Sequence, residues 1–181
     1  MNPVFPLAPA PVLRTPRLLL RPLAAGDVPA MFAYASEPGF FQYVSDVPAE
    51  VRDAYQPRHA EAHLAELLEL VQRGYPNWGI VPEGTARPVG AIRLKPSAED
   101  GTPELGYGLA SAWRGQGLAT EAAQAVVAWA AHHGPPGHPL VARCDPRNLA
   151  SAAILRRVGF KPWGRDGRGS LLFKFMAGAA P

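Results

Sequence analysis

The stretch ELGYGLASAWRGQGLATEAAQAVVAWA, residues 104–130, decides how this chain folds. It opens in PELGYGLA (103–110), a short apolar run that reads as a strand. Gly115 and Gly117 then turn the chain, and no proline occurs from 104 to 134. Leu118, Ala122, Val126, Trp129 and Ala130 recur at helical spacing, which predicts a helix over 118–133. The Ala and Val on its remaining positions predict burial nearly all round. Gly134-Pro135-Pro136-Gly137 stops it, and PLVARC (139–144) reads as the next strand. Two strands joined by a crossover helix are expected to be parallel. The head of a helix leaves four N–H groups unpaired and carries partial positive charge, and Arg114 adds a full charge. Such a turn suits an anion with several oxygens, such as a pyrophosphate. The alternative is that the glycines only turn the chain.

Working outward, RLLLRPL (17–23) predicts a strand. Asp27 is placed to cap a short helix with Pro29 in its first turn. Residues 37–57 read as an irregular connection with one helical turn. Ala60, Leu64, Leu67, Leu68 and Val71 predict an amphipathic helix over 58–73, stopped by Gly74. Strands are expected at 77–82 and 88–95. A helix at 148–158 ends at Gly159, followed by strands at 160–164 and 170–176. With no repeat and no linker, the expectation is one α+β domain over 13–178, with a mixed, mostly antiparallel sheet of six or seven strands and about four helices. Six prolines within residues 1–22 make 1–12 a loose lead-in arm.

Composition bounds the function. The 181 residues carry a net charge of +3, and 48% are hydrophobic, enough for a core. A mildly basic chain favours an anionic ligand, but no nucleic-acid partner is expected. No apolar run reaches membrane-spanning length, so no membrane partner is expected either. The N-terminus lacks the basic start of a signal peptide. Cys144 stands alone, which excludes an intrachain disulfide or a cysteine-built metal site and fits a cytoplasmic protein. His59 and His63 lie one helical turn apart but do not form HExxH, so no metal is expected and both read as a wet helix face. A P-loop is excluded because no Lys lies in 113–120. A dinucleotide fingerprint finds Gly115 and Gly117 but Thr120 for its third glycine; with Asp145 after the next strand it stays as a weak alternative.

Arg114-Gly115-Gln116-Gly117-Leu118-Ala119 resembles the [QR]-x-x-G-x-[GA] loop of the GNAT superfamily of N-acetyltransferases, matching at Arg114, Gly117 and Ala119. NLASAAILRRVGF (148–160) is similar to the N-x-x-[AS]…GF segment of that family. LRTPRLLLRPLAAGDVPAMF (13–32) looks like the opening of its Rim-type branch, which acetylates the N-termini of ribosomal proteins. The resemblance spans about 13–176. It implies a GNAT fold and an enzyme that transfers acetyl from acetyl-CoA to an amine, with the loop amides on the pyrophosphate.

Amine acetylation needs a base for the ammonium, donors for the thioester oxygen, and a proton for the thiolate. The resemblance places a catalytic Glu on the strand before the loop, here Glu104, unless an ordered water is the base. Backbone N–H groups near Leu109 and Ala110 are the expected oxyanion donors. Arg114, Gly115, Gln116, Gly117, Leu118, Ala119 and Thr120 would hold the cofactor, and Asn148 would reach its pantetheine amide or simply cap the helix. Many relatives carry a Tyr donor where this chain has Leu155. Ser151 shares a helix face with Asn148 and Leu155, and is the substitute donor, or else a small residue that lets helices pack closely. No G-x-S-x-G nucleophile is present, so direct attack in a ternary complex is expected. The expected acceptor is a peptide N-terminal amine; a small amine is the second choice, with the groove formed by 37–57 and 164–170. A non-catalytic CoA-binding module is the rival on this fold, and a homodimer is left open.

Overall fold

The computed structural model describes residues 10–44, 47–134 and 137–176. In chain order the elements are β1 (Leu13–Arg14), β2 (Leu18–Arg21), α1 (Val28–Ala35), α2 (Ala49–Asp53), α3 (Pro57–Gln72), β3 (Asn77–Pro82), β4 (Gly90–Pro96), β5 (Pro103–Leu109), α4 (Leu118–His133), β6 (Pro139–Cys144), α5 (Leu149–Arg157), β7 (Lys161–Arg165) and β8 (Leu171–Met176). The strands form one sheet in the order β1-β2-β3-β4-β5-β6-β8-β7. Among described residues the only parallel neighbours are β5 and β6, joined by α4 as the crossover rule requires. A doubly wound parallel sheet is absent, which removes the dinucleotide reading.

Side-chain alternation along the strands divides the core in two. On one face Leu20, Ile80, Ile92, Leu94, Leu105 and Leu109 pack with Val126 of α4 and Leu155 of α5. On the other, α1 and α3 bury Met31, Tyr34, Leu64 and Leu67. Trp78 anchors the first layer: it is fully buried, meets Trp129 edge-on at 5.4 Å, and donates from Nε1 to the Pro11 carbonyl at 2.7 Å.

Several expectations change. Among the described residues the sheet has eight strands, because the short β1 pairs with β2 and a hairpin closes the far edge. Five α-helices stand among the described residues against about four expected, the helical turn expected within 37–57 being the separate α2. Helix α4 is not buried all round: Gln124, Ala128, Ala131 and His132 are exposed, so its Ala-rich sequence reflects helix propensity as well as packing. Of the expected loose arm, residues 1–9 lie outside the described residues. Residues 10–12 are tied down, through buried Ala10 and the Pro11 carbonyl.

Asp27 does not cap α1 with its side chain. Its carboxylate instead takes two hydrogen bonds from Arg21, at 2.8 and 2.7 Å, and one from the Ala24 amide at 2.9 Å. The Arg21 hydrogen bond outweighs burial and holds the Asp27 carboxyl below its ordinary value. A depressed carboxyl contributes stability that is complete above the unfolded-state value, near 3.9, and lost as pH falls through the folded-state value. Asp27→Asn should therefore cost about 2 kcal/mol at pH 7. In thermal melts from pH 6 to pH 2.5, the gap between wild type and variant should narrow as acid is added. A gap independent of pH would show that the ion pair does not set it.

Candidate functional site

The glycine turn leaves its amides open. Gly115 has φ +74° and Gly117, the residue before α4, has φ +80°. That left-handed region costs other residues roughly 1–2 kcal/mol. Among the described residues no hydrogen bond uses the amides of Gly115, Gln116, Gly117, Leu118, Ala119 or Thr120. The first amide to turn inward is that of Glu121, which donates to the Gly117 carbonyl at 3.0 Å. Six consecutive N–H groups at the positive end of a 16-residue helix make an anion seat. Arg114 departs from its expected part. Its amide donates to the Ser111 carbonyl at 3.1 Å, and its Nε donates to the Leu109 carbonyl at 2.9 Å. The charge stays exposed beside the seat, while the N–H does not belong to it.

A residue missed in the sequence fixes this turn. Arg17, between β1 and β2, donates from Nη1 to the Gln116 carbonyl at 2.9 Å and from Nε to Glu121 at 2.7 Å. Its backbone N–H reaches the same carboxylate at 2.9 Å. Burial would raise the Glu121 carboxyl, but hydrogen bonds from Thr15 and Arg17 hold it below its ordinary value. The clamp crosses 104 positions of sequence, so local reading could not find it.

The second feature is the gap beside β5. With β4 the strand is paired along its whole length, from Gly90↔Leu109 to Pro96↔Pro103. With β6 it shares a single position, Glu104↔Val141. The Ala110 amide donates to the Val89 carbonyl at 2.8 Å. By the alternation of antiparallel ladders, even-numbered residues of β5 direct their backbone groups to β4, and Tyr107 and Leu109 direct theirs into the gap. Leu109 is thus placed as an amide donor. Ala110 is not, because its N–H is already spent and its carbonyl accepts from Trp113.

Side chains on β5 alternate likewise. Tyr107 faces α5, where its hydroxyl lies 2.9 Å from Ser151 Oγ. Burial pushes the Tyr107 hydroxyl up to about 12, so it stays protonated. Asn148 accepts from the Ser151 amide at 3.0 Å, which sets the first turn of α5. Leu155 is core, which explains why no tyrosine stands there. Cys144 lies beneath, its thiol donating to the Asp145 carbonyl at 3.2 Å and raised by burial.

Glu104 faces the opposite layer. It is buried, with Arg143 Nη2 at 3.5 Å and Lys95 Nζ at 4.0 Å. Arg143 also meets Glu99 at 3.0 Å and Asp166 at 3.1 Å. The same face carries Gly106 and Gly108. A side chain on Gly108 would come within 3.0 Å of the Phe40 ring, and one on Gly106 would meet Arg93 at 3.8 Å. His63, expected to be solvent-facing, meets Arg93 Nη1 through Nε2 at 2.9 Å. No cluster of three or more His, Cys, Asp or Glu able to hold a metal occurs among the described residues. No helix among them is long and apolar enough to cross a membrane.

Residues 17–161 match the family model described as "Acetyltransferase (GNAT) domain". The chain is 29% identical over 153 residues to "Probable N-acetyltransferase YjcK" of Bacillus subtilis, covering 82% of this chain and 83% of that protein. The acetyltransferase structure from Agrobacterium tumefaciens is 27% identical, with a TM-score of 0.72 over 93% of this chain and 95% of that one. The fold is also that of RimL, a ribosomal L7/L12 alpha-N-protein acetyltransferase solved with coenzyme A. That similarity has a TM-score of 0.78 at 18% identity over 94% of this chain and 100% of that one.

Removing the clamp should loosen the anion seat without touching its amides. Arg17→Ala is expected to weaken coenzyme A binding by about 10-fold, the worth of a charge-assisted hydrogen bond. Calorimetric titration checks this, and an unchanged Kd would show that the turn holds its shape alone.

Proposed function

The chain belongs to the GNAT acetyltransferase family, and on that premise we propose that it transfers the acetyl group of acetyl-CoA to a primary amine by direct attack within a ternary complex. The observation that carries this reading is the unbroken row of unbonded amides from Gly115 to Thr120, set beside the open gap between β5 and β6. The row suits the diphosphate of acetyl-CoA, and the gap suits its pantetheine arm. Asn148, whose Oδ1 is taken by the Ser151 amide, keeps its Nδ2 for a pantetheine carbonyl.

In the proposed mechanism the thioester lies in the gap with its carbonyl oxygen toward the Leu109 amide. Glu104 takes a proton from the acceptor ammonium, directly or through a water. The neutral nitrogen attacks the carbonyl carbon, and the new C–N bond places negative charge on the oxygen facing that amide. The attacking nitrogen then loses its second proton to solvent water, the C–S bond breaks, and its electron pair leaves on sulfur. Ser151 donates a proton to the thiolate and is resupplied by Tyr107, whose hydroxyl lies 2.9 Å from Ser151 Oγ and regains its proton from solvent. This relay answers the absence of a tyrosine at Leu155: the phenol comes from the strand instead of the helix. The first acceptor class proposed is a peptide amino terminus, as for the RimL acetyltransferase of this fold. Small amines are the second.

Thiol-release assays over a panel of amines and peptides test the reading, and no CoA release from any of them would overturn it. Ser151→Ala should lower kcat by about 100-fold, the lower range for general acid catalysis. Tyr107→Phe should lower it by about 10-fold with KM for acetyl-CoA unchanged. Glu104→Gln should remove the acidic limb of the pH–rate profile; an unchanged profile would leave water as the base.

A further inference from the structure

Three polar atoms in the layer over β5 are buried and have no hydrogen-bond partner: Tyr34 Oη, Tyr55 Oη and Arg93 Nε. They belong to one layer: Tyr34 and Tyr55 both pack in the cluster of α1 and α3, and Arg93 Nε lies over Gly106 on the same side of β5. Tyr34 is only 5% exposed. Around them stands an aromatic wall from α1 and the 37–57 segment. Tyr34 and Phe40 have ring centroids 5.3 Å apart, Phe40 and Phe41 5.0 Å, and Phe41 and Tyr55 5.3 Å. Arg93 lies over Gly106, and Phe40 lies over Gly108. These groups therefore adjoin the stretch of β5 that borders the gap.

Unpaired buried donors are costly. Arg93 Nη1 meets His63 Nε2 at 2.9 Å, while its Nε has no hydrogen-bond partner among the described residues. Asp27, which also acts on Tyr34, is held by Arg21. Glu104 is set between Lys95 and Arg143. A cationic polyamine would meet Arg93 with like charge. An anionic oxygen would satisfy Arg93 Nε and both hydroxyls at once, while the rings receive an apolar body.

Building on the proposed acetyl transfer, we infer that the acceptor amine carries a carboxylate, bound by Arg93 Nε, Tyr34 Oη and Tyr55 Oη under the aromatic wall. The same chemistry is offered by a free amino acid and by an acidic side chain next to a peptide amino terminus.

The test compares acids with their neutral counterparts. Phenylalanine is set against phenylalaninamide and phenethylamine, and the C-terminally amidated tripeptide Ser-Asp-Gly-amide against Ser-Asn-Gly-amide, at saturating acetyl-CoA. In at least one set the acid should have a kcat/KM about 10-fold or more above its neutral partners. The set that shows it identifies the source. Arg93→Met should abolish the preference with KM for acetyl-CoA unchanged, and Arg93→Lys should retain part of it. Tyr34→Phe and Tyr55→Phe should each reduce it several-fold. Equal rates for acids and neutral partners in wild type, or a preference that survives Arg93→Met, would overturn the inference. If no amine is acetylated, the proposed chemistry fails, and binding decides the inference separately. Thermal shift of CoA-saturated protein should then favour the acids in wild type and not in Arg93→Met; no acid preference there would overturn it.

Discussion

Two parallel strands that share one paired position govern everything described above. Backbone N–H groups seldom stay unpaired inside a protein. Here β5 is fully paired on its β4 side and loses its β6 partner after Glu104↔Val141. The crossover helix α4 then begins at a left-handed glycine that keeps its first amides open. The unmet donors of a strand and of a helix head thus lie close in sequence: Tyr107 and Leu109 face the seam, and Gly115 to Thr120 follow after the bonded amides of Ala110, Ser111, Trp113 and Arg114. A sheet that closed this seam would be an ordinary α+β core with no unpaired edge beside α4.

The strand also sorts the chemistry by parity. Odd positions send Leu105, Tyr107 and Leu109 to the layer of α4 and α5, while even positions send Glu104, Gly106 and Gly108 to the layer of α1 and α3. A carboxylate and a phenol three residues apart therefore stand on opposite faces of one strand. Proton removal and proton delivery are proposed to occur on those two faces, with the seam between them, so the two groups do not compete for one another.

Much of this was legible in the chain itself. Leu118–His133, Asn77–Pro82 and Pro139–Cys144 coincide with their expected ranges, because helical period, strand composition and glycine or proline stops all agree there. The glycine turn before α4 was legible because its signal is local. What escaped reading is long-range. Arg17 on Glu121, Tyr107 on Ser151 and His63 on Arg93 are contacts across 104, 44 and 30 positions, set by packing that no window reveals. Ala110 and the Arg114 amide were misplaced for a related reason. Whether an amide is free depends on its neighbours in space, Val89 and Ser111, and not on its own residue type.

The clamp from Arg17 ties the fate of the ligand seat to the outermost hairpin. β1 is two residues long and lies at the sheet edge, the kind of element that opens before the rest of a domain. Each opening of that edge would release the Gln116 carbonyl and the Glu121 carboxylate together. Whatever occupies the seat is therefore thermodynamically linked to fraying some hundred residues away, and by mass action would slow hydrogen exchange at the amino-terminal margin as well as at the loop it touches.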